Sequence, residues 1–524
     1  MQPIEYSDDD DGQTTIHIDN EYFEPRISQL TSISNVEIVT LDEVILRAGG
    51  FGSVLAYSST YLVQQPAYEC QEVPEGPWES CDKETACGDE IHSWRVDWDS
   101  PESLENWLNM FELNCAPVVK TSLLSSMYYL GYSIGCLFIP RITDKYGRWF
   151  IFMLCMVVQF PLSVAILFSK SVELNTALSF FLGVCCVGRY NGCYINISEY
   201  VDDRYKNTMA TLLLVADSLT CILVAVYNKF ISKDWLYLQI FGAVLCFISA
   251  AGSFYVTETP EYLYSFYRFS QCKYILSWIA KQNGKGLPKK YIFDSERERK
   301  EIKFNIITAG SNYQKSRVRD MEIVRTERLY GSLRTTMKEF LSDKIILRNL
   351  IINIFMWILT IMAYQIISNH SNYFPGDQYT SDIIGSCVEL FGYVAGEILY
   401  EKFGARKLFF FAYIFAMLGG IGVLITVDFD DAPQSQQYLE MSFAWLTRFG
   451  ISITYEGLYM TTGLFPILFA STSFGICNLF AGLAGLFSFE VLLKQEDTTQ
   501  FMFYVIFCLV GSIVSLFQVE DIDY

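Results

Sequence analysis

Twelve charge-poor runs, each about 20 residues long, dominate this sequence and leave few folds open to it. They lie near 44–64, 118–140, 149–169, 174–198, 207–230, 235–257, 349–368, 382–400, 406–427, 441–466, 471–493 and 499–518. A run of that length crosses the hydrocarbon core as a helix. In lipid it must be helical or part of a closed barrel, because its backbone groups find no water there. The clearest run, Trp149 to Val158, carries no charge, whereas the first contains Arg47 and several Gly and Ser. The chain is 18% charged and 51% apolar, against about 25% charge in a soluble domain. The expectation is an all-α membrane protein with twelve transmembrane helices.

Charge distribution predicts its orientation. Of the 38 Lys and Arg, 19 fall between Arg268 and Arg348, and more sit in short turns at Arg141, Lys145 and Arg148, at Arg204 and Lys206, and at Lys402, Arg406 and Lys407. The positive-inside rule places these on the cytoplasmic side together with both termini, and the short turns carry the assignment because long loops report weakly. The net charge of −20 argues against nucleic-acid binding. The N-terminal Ser7-Asp8-Asp9-Asp10-Asp11 is acidic, unlike a signal or transit peptide. Cys70, Cys81, Cys87 and Cys115 share one acidic exterior loop, an even set that reads as two disulfides with three possible pairings. Metal ligation is the competing idea, but no His stands at ligand spacing.

The helices divide into two groups of six, and a repeat supports the division. After the second run stands Asp144-Lys145-Tyr146-Gly147-Arg148; after the eighth stands Glu401-Lys402-Phe403-Gly404-Ala405-Arg406. Each has an acid, a Lys, an aromatic, a Gly and a following Arg. Glycine permits a tight turn, and the charges can lock neighbouring helix ends. The expected organisation is an acidic cytoplasmic tail 1–43, a six-helix half 44–257 with its cysteine loop at 65–117, a central cytoplasmic segment 258–348, a second six-helix half 349–519 and a tail 520–524.

The repeated turn resembles the signature of the major facilitator superfamily. Within it the chain resembles the organic cation transporters over about 42–518. The motifs are Gly49-Gly50-Phe51-Gly52, Phe111-Glu112-Leu113-Asn114-Cys115 closing the cysteine loop, and Gly188-Arg189 followed by Glu199 and Arg204. Glu258-Thr259-Pro260-Glu261-Tyr262-Leu263 and Ile279 to Gly284 extend the likeness. The resemblance implies a major facilitator fold, alternating access around a site near mid-membrane, and organic cations held by aromatic faces and a few acids. Candidate site residues are Trp357 and Tyr364, two turns apart on one helix face, with Glu389 and Asn478. An intramembrane acid such as Glu389 is expensive and marks function by default. Ordinary helix packing is the alternative for Trp357 and Tyr364, and pairing with a polar neighbour is the alternative for Glu389. Candidate gating residues are Asp144, Lys145, Gly147, Arg148, Glu199 and Arg204 in the first half, with Glu401, Lys402, Gly404 and Arg406 in the second.

Several departures from the family pattern carry a second reading. Gly463 and Ala470 replace an acid and an Arg, Asn478 replaces an Asp, Glu261 replaces an Arg, and the first helix is short. The alternative is a transport-inactive structural subunit packed against other membrane proteins, for example in the mitochondrial inner membrane. For a carrier, the expected location is the plasma membrane and the expected partners are the lipid bilayer and a small organic cation or zwitterion. With no nucleophile–base pair, phosphate loop or metal cluster in the sequence, neither an enzyme nor a cofactor or metal is expected.

Overall fold

A computed structural model describes residues 7–8, 14–15, 54–71, 76–88, 93–101, 103–201, 205–282, 293, 344–370, 378–426, 434–465, 469–491 and 497–518. Helix α1 spans Val54–Leu62 and leads into a small disulfide-bonded unit. There β1 (Tyr68–Gln71) lies centrally between β2 (Glu79–Cys81) and β3 (Ser93–Val96), both antiparallel to it. Two short helices follow, α2 (Lys83–Ala86) and α3 (Trp107–Met110), capped by the side chains of Asp82 and Asn106. The bridges are Cys70–Cys81 and Cys87–Cys115, with Cα atoms 5.8 and 5.5 Å apart. The two expected disulfides therefore form, joining the first cysteine to the second and the third to the fourth.

The long helices of the first half are α4 (Val118–Tyr146), α5 (Arg148–Phe168), α6 (Val172–Tyr200), α7 (Lys206–Val226) and α8 (Trp235–Ser253). A wider π turn, Tyr227–Ile231, extends α7. Two short helices, α9 (Pro260–Ser265) and α10 (Phe269–Gln282), form a satellite cluster with Tyr200 and Phe293, in which Cys272 is a buried free thiol. The second half comprises α11 (Lys344–His370), α12 (Gln378–Thr426), α13 (Gln434–Met460), α14 (Ala470–Val491) and α15 (Asp497–Ser515). The runs expected at 382–400 and 406–427 are the two arms of α12, separated by a non-helical turn at Gly404 (φ 76°, ψ 170°). Counting its two arms, twelve helical segments stand at the twelve expected places among the described residues.

Eight helices among the described residues are long and apolar enough to cross a membrane, α12 at 49 residues being long enough to cross twice. Outward faces carry Leu137, Phe168, Phe241, Phe391 and Ile425, all exposed, whereas Asn175, Asn349, Thr360, Thr447, Thr454 and Glu456 are buried. A soluble protein would arrange these the other way. Contacts between the halves run mainly between α4 and α14 and between α7 and α12. Close approach needs small residues: a Cβ on Gly475 of α14 would fall 2.2 Å from Pro140 of α4, and one on Gly482 would fall 2.3 Å from Ser133.

Candidate functional site

Between the halves lies a continuous aromatic cluster. Trp357 of α11 packs edge-on against Tyr455 at 5.5 Å and against Phe474 of α14 at 5.8 Å, and lies tilted against Tyr459 at 5.6 Å. Tyr364 stacks on Tyr455 at 6.4 Å. Tyr190 and Tyr194 of α6 meet Tyr459 at 6.2 and 5.4 Å, which carries the cluster across to the first half. On α13, Arg448, Tyr455 and Tyr459 are spaced at i, i+7 and i+11 and share one face.

The cluster has an acid at each side. Glu389 of α12 is buried and its Oε1 accepts from Arg448 Nε at 2.8 Å. Tyr364 bonds to the same carboxylate. Gly385 makes room for the pair: a Cβ there would fall 2.4 Å from the guanidinium. In the first half, Asp217 of α7 is buried and accepts from the hydroxyls of Tyr190 and Tyr57. Asn478 of α14 is buried, accepts from Tyr132 at 3.0 Å and donates to the Phe474 carbonyl at 2.9 Å.

Hydrogen bonds tie the halves together at both ends. At the end bearing the cysteine loop, Tyr61 of α1 donates to Asp382 of α12 at 2.5 Å and stacks on Tyr379, and Lys229 reaches Thr380. At the opposite end, Asp144 Oδ2 accepts from the Thr472 amide at 2.8 Å and its hydroxyl at 2.5 Å. Nearby, Asn191 donates to the Ser471 carbonyl, Tyr194 to the Tyr459 carbonyl, Thr208 to Glu397 and Thr211 to Glu456.

The two turns at that end differ in chemistry. Gly147 and Gly404 are the positive-φ glycines of the described residues, at 119° and 76°. A Cβ on Gly147 would also fall 2.1 Å from Glu258 Oε2. Beside Gly147, buried Arg148 reaches Glu199 at 3.0 Å and Asp144 at 3.5 Å, and lies over the Tyr262 ring. Glu199 also accepts from Thr259 at 2.5 Å, and Glu258 receives the amides of Arg148 and Trp149 at the start of α5. Burial pushes the Glu258 carboxyl above the usual range, against the pull of those amides and of Arg148. Beside Gly404, by contrast, Glu401 and Lys402 are exposed, and Arg406 binds the Gln518 carbonyl at 2.6 Å.

A profile described as Major Facilitator Superfamily matches residues 109–489. The chain belongs to that superfamily. It is similar to solute carrier family 22 member 3 of Mus musculus, 22% identical over 438 residues that cover 83% of this chain and 73% of the relative. Organic cation/carnitine transporter 2 of Mus musculus is 22% identical over 431 residues, covering 81% and 70% respectively. The solved proton:xylose symporter XylE, bound to 6-bromo-6-deoxy-D-glucose, matches with a TM-score of 0.57 at 14% identity, over 93% of this chain and 94% of that one. At that identity the likeness is one of fold. This facilitator is thus an integral multi-pass membrane transporter related to the organic cation transporters, and it is not an enzyme. The relatives give no support to the structural-subunit reading.

Within this facilitator fold, Trp357, Tyr364 and Glu389 come together at one aromatic cluster, and Asn478 lies beside Phe474 at its edge. Asp144, Gly147, Arg148 and Glu199 gather at the first turn, where Lys145 is exposed. Arg204 and the motif Gly49 to Gly52 lie outside the described residues. Sequence reasoning missed Arg448 and Asp217. The rule that singled out Glu389, an ionisable group at membrane depth, applies equally to Thr447-Arg448-Phe449 and Ala216-Asp217-Ser218.

Proposed function

We propose that this protein carries a small organic cation or zwitterion across the plasma membrane by alternating access. The substrate binds at the aromatic cluster between the halves, with Trp357, Tyr364 and Glu389 among its contacts. The observation that carries this reading is the cluster itself: faces of Tyr190, Tyr364, Tyr455, Tyr459 and Trp357 converge between the halves. Such faces attract a positive charge by about 0.5–2 kcal/mol each. Contacts at both ends of the cluster make a gate on each side. Asp144, Arg148 and Glu199 hold the cytoplasmic turn of the first half; Glu401, Lys402, Gly404 and Arg406 form the weaker turn of the second. Both termini and the 258–348 segment face the cytoplasm in this reading.

The test is uptake of radiolabelled tetraethylammonium and carnitine into proteoliposomes holding the purified protein. Uptake above empty vesicles that is lost in Glu389→Gln and in Trp357→Ala supports the reading. Absence of uptake for either solute, with the protein folded and oriented, overturns it.

A further inference from the structure

We propose that Asp217 is the group that receives the positive charge of the substrate. The proposal rests on the transport reading above and names the side chain that decides charge selectivity. Of the carboxyls between the halves, Asp217 and Glu389 are buried beside the aromatic cluster, Glu456 is buried nearer the turn end, Asp382 is half-buried at the cysteine-loop end, and Asp144 is paired with Arg148 at the turn. The three of the second half are engaged across or within it. Glu389 is bonded by Arg448 and Tyr364, Asp382 by Tyr61, and Glu456 by Thr211 beside Glu397 at the turn end.

Asp217 differs in position and in the kind of group that holds it. It is 7% exposed, it touches the aromatic cluster through Tyr190, and the neutral hydroxyls of Tyr190 and Tyr57 are its hydrogen-bond donors. Tyr459 stands within its electrostatic reach. A buried carboxylate held only by neutral hydroxyls keeps a desolvation cost that an incoming ammonium would offset. Arg189, on the neighbouring helix, is the cation within reach of Asp217. Its guanidinium donates to Cys186 Sγ at 3.2 Å and lies over the Tyr190 ring at 5.8 Å. Glu389 is ion-paired with Arg448, so of the two carboxyls at the cluster Asp217 is the one without an ion pair among the described residues. The side chain at 478, which the organic cation pattern would make acidic, is here an amide already satisfied by Tyr132 and Phe474.

The experiment is equilibrium binding of radiolabelled tetraethylammonium to the purified full-length protein in lipid nanodiscs. Choline and its neutral carbon isostere 3,3-dimethyl-1-butanol serve as competitors. In the wild type, choline competes and the neutral isostere does not. In Asp217→Asn, tetraethylammonium affinity falls at least tenfold, whereas Asp217→Glu retains most of it. A second measurement needs no variant: carbodiimide modification of Asp217, located by mass spectrometry, slows when tetraethylammonium is present. Unchanged affinity in a folded Asp217→Asn protein, or modification of Asp217 indifferent to the cation, overturns the proposal and leaves the transport reading standing. Failure of the wild type to bind either cation overturns both.

Discussion

Removing one member of the Glu389–Arg448 pair should cost far more than removing both. The side chains are 4% and 9% exposed and their nitrogen–oxygen distance is 2.8 Å. Truncating one partner of a buried pair leaves an uncompensated charge and costs about 3–5 kcal/mol. Arg448→Met leaves Glu389 with Tyr364 alone, and Glu389→Ala leaves the guanidinium pressed against Gly385. Replacing both by uncharged groups of similar volume, Glu389→Gln with Arg448→Met, removes the desolvation penalty together with the attraction and is close to neutral. For a unit of about 150–250 residues, 1 kcal/mol moves Tm by about 2–4 °C, so each single variant should melt roughly 6–20 °C lower. The assay is thermal unfolding of purified protein in detergent at fixed heating rate, since membrane proteins of this size commonly unfold irreversibly. Single variants as stable as wild type, or a double variant no better than the worse single one, would refute the reasoning.

Gly147→Ala should destabilise the first turn by about 1–3 kcal/mol, since it combines a positive φ with a clash against Glu258. Gly404→Ala should cost less, because its neighbours are exposed; equal melting temperatures for the two variants would contradict this. Mass spectrometry of unreduced peptides should find Cys70 linked to Cys81 and Cys87 to Cys115, and any other pairing overturns the exterior unit described. Cys87→Ser should lower stability by about 3–4 kcal/mol, the loop entropy of its 28-residue separation. Protease added to intact cells should spare the 264–345 segment and cut it only after permeabilisation; cleavage from outside would invert the proposed topology.

The helices and their grouping were legible because membrane burial imposes a simple demand, about 20 apolar residues per crossing. The repeated turn was legible because two glycines in equivalent contexts mark the same backbone requirement, and Gly147 and Gly404 both have positive φ. Trp357, Tyr364 and Glu389 could be named because each is conspicuous in its own helix. Arg448 and Asp217 answer to the same rule as Glu389, but that Arg448 pairs with Glu389 and Asp217 with Tyr190 is set by tertiary packing that no local pattern encodes. Disulfide pairing likewise depends on the strand register that sets Tyr68 opposite Cys81.

How these contacts are distributed matters more than their number. Within each half the strong interactions are buried and ionic: Arg148 with Glu199 and Asp144, and Arg448 with Glu389. Breaking those costs several kcal/mol, so in the proposed mechanism each half moves as one body. Between the halves the described contacts are single hydrogen bonds and ring contacts, such as Thr211 to Glu456, Asn191 to Ser471 and Tyr61 to Asp382. A neutral hydrogen bond is worth about 0.5–1.5 kcal/mol net, and one to a charged group about 1.5–3. In the proposed mechanism either gate opens by breaking such bonds one at a time, and water entering the gap re-forms part of them. The cysteine-loop end holds fewer such bonds than the turn end among the described residues, and they centre on Tyr61, Tyr379 and Lys229. On the proposed rocking mechanism the loop end is thus the easier gate. Loss of ionic partners at Gly463 and Ala470 acts in the same direction as the rest of this design, because Arg406 is held by a backbone carbonyl that lies within its own half. That contact never has to break when the halves separate, so the missing charges weaken no bond on which switching depends.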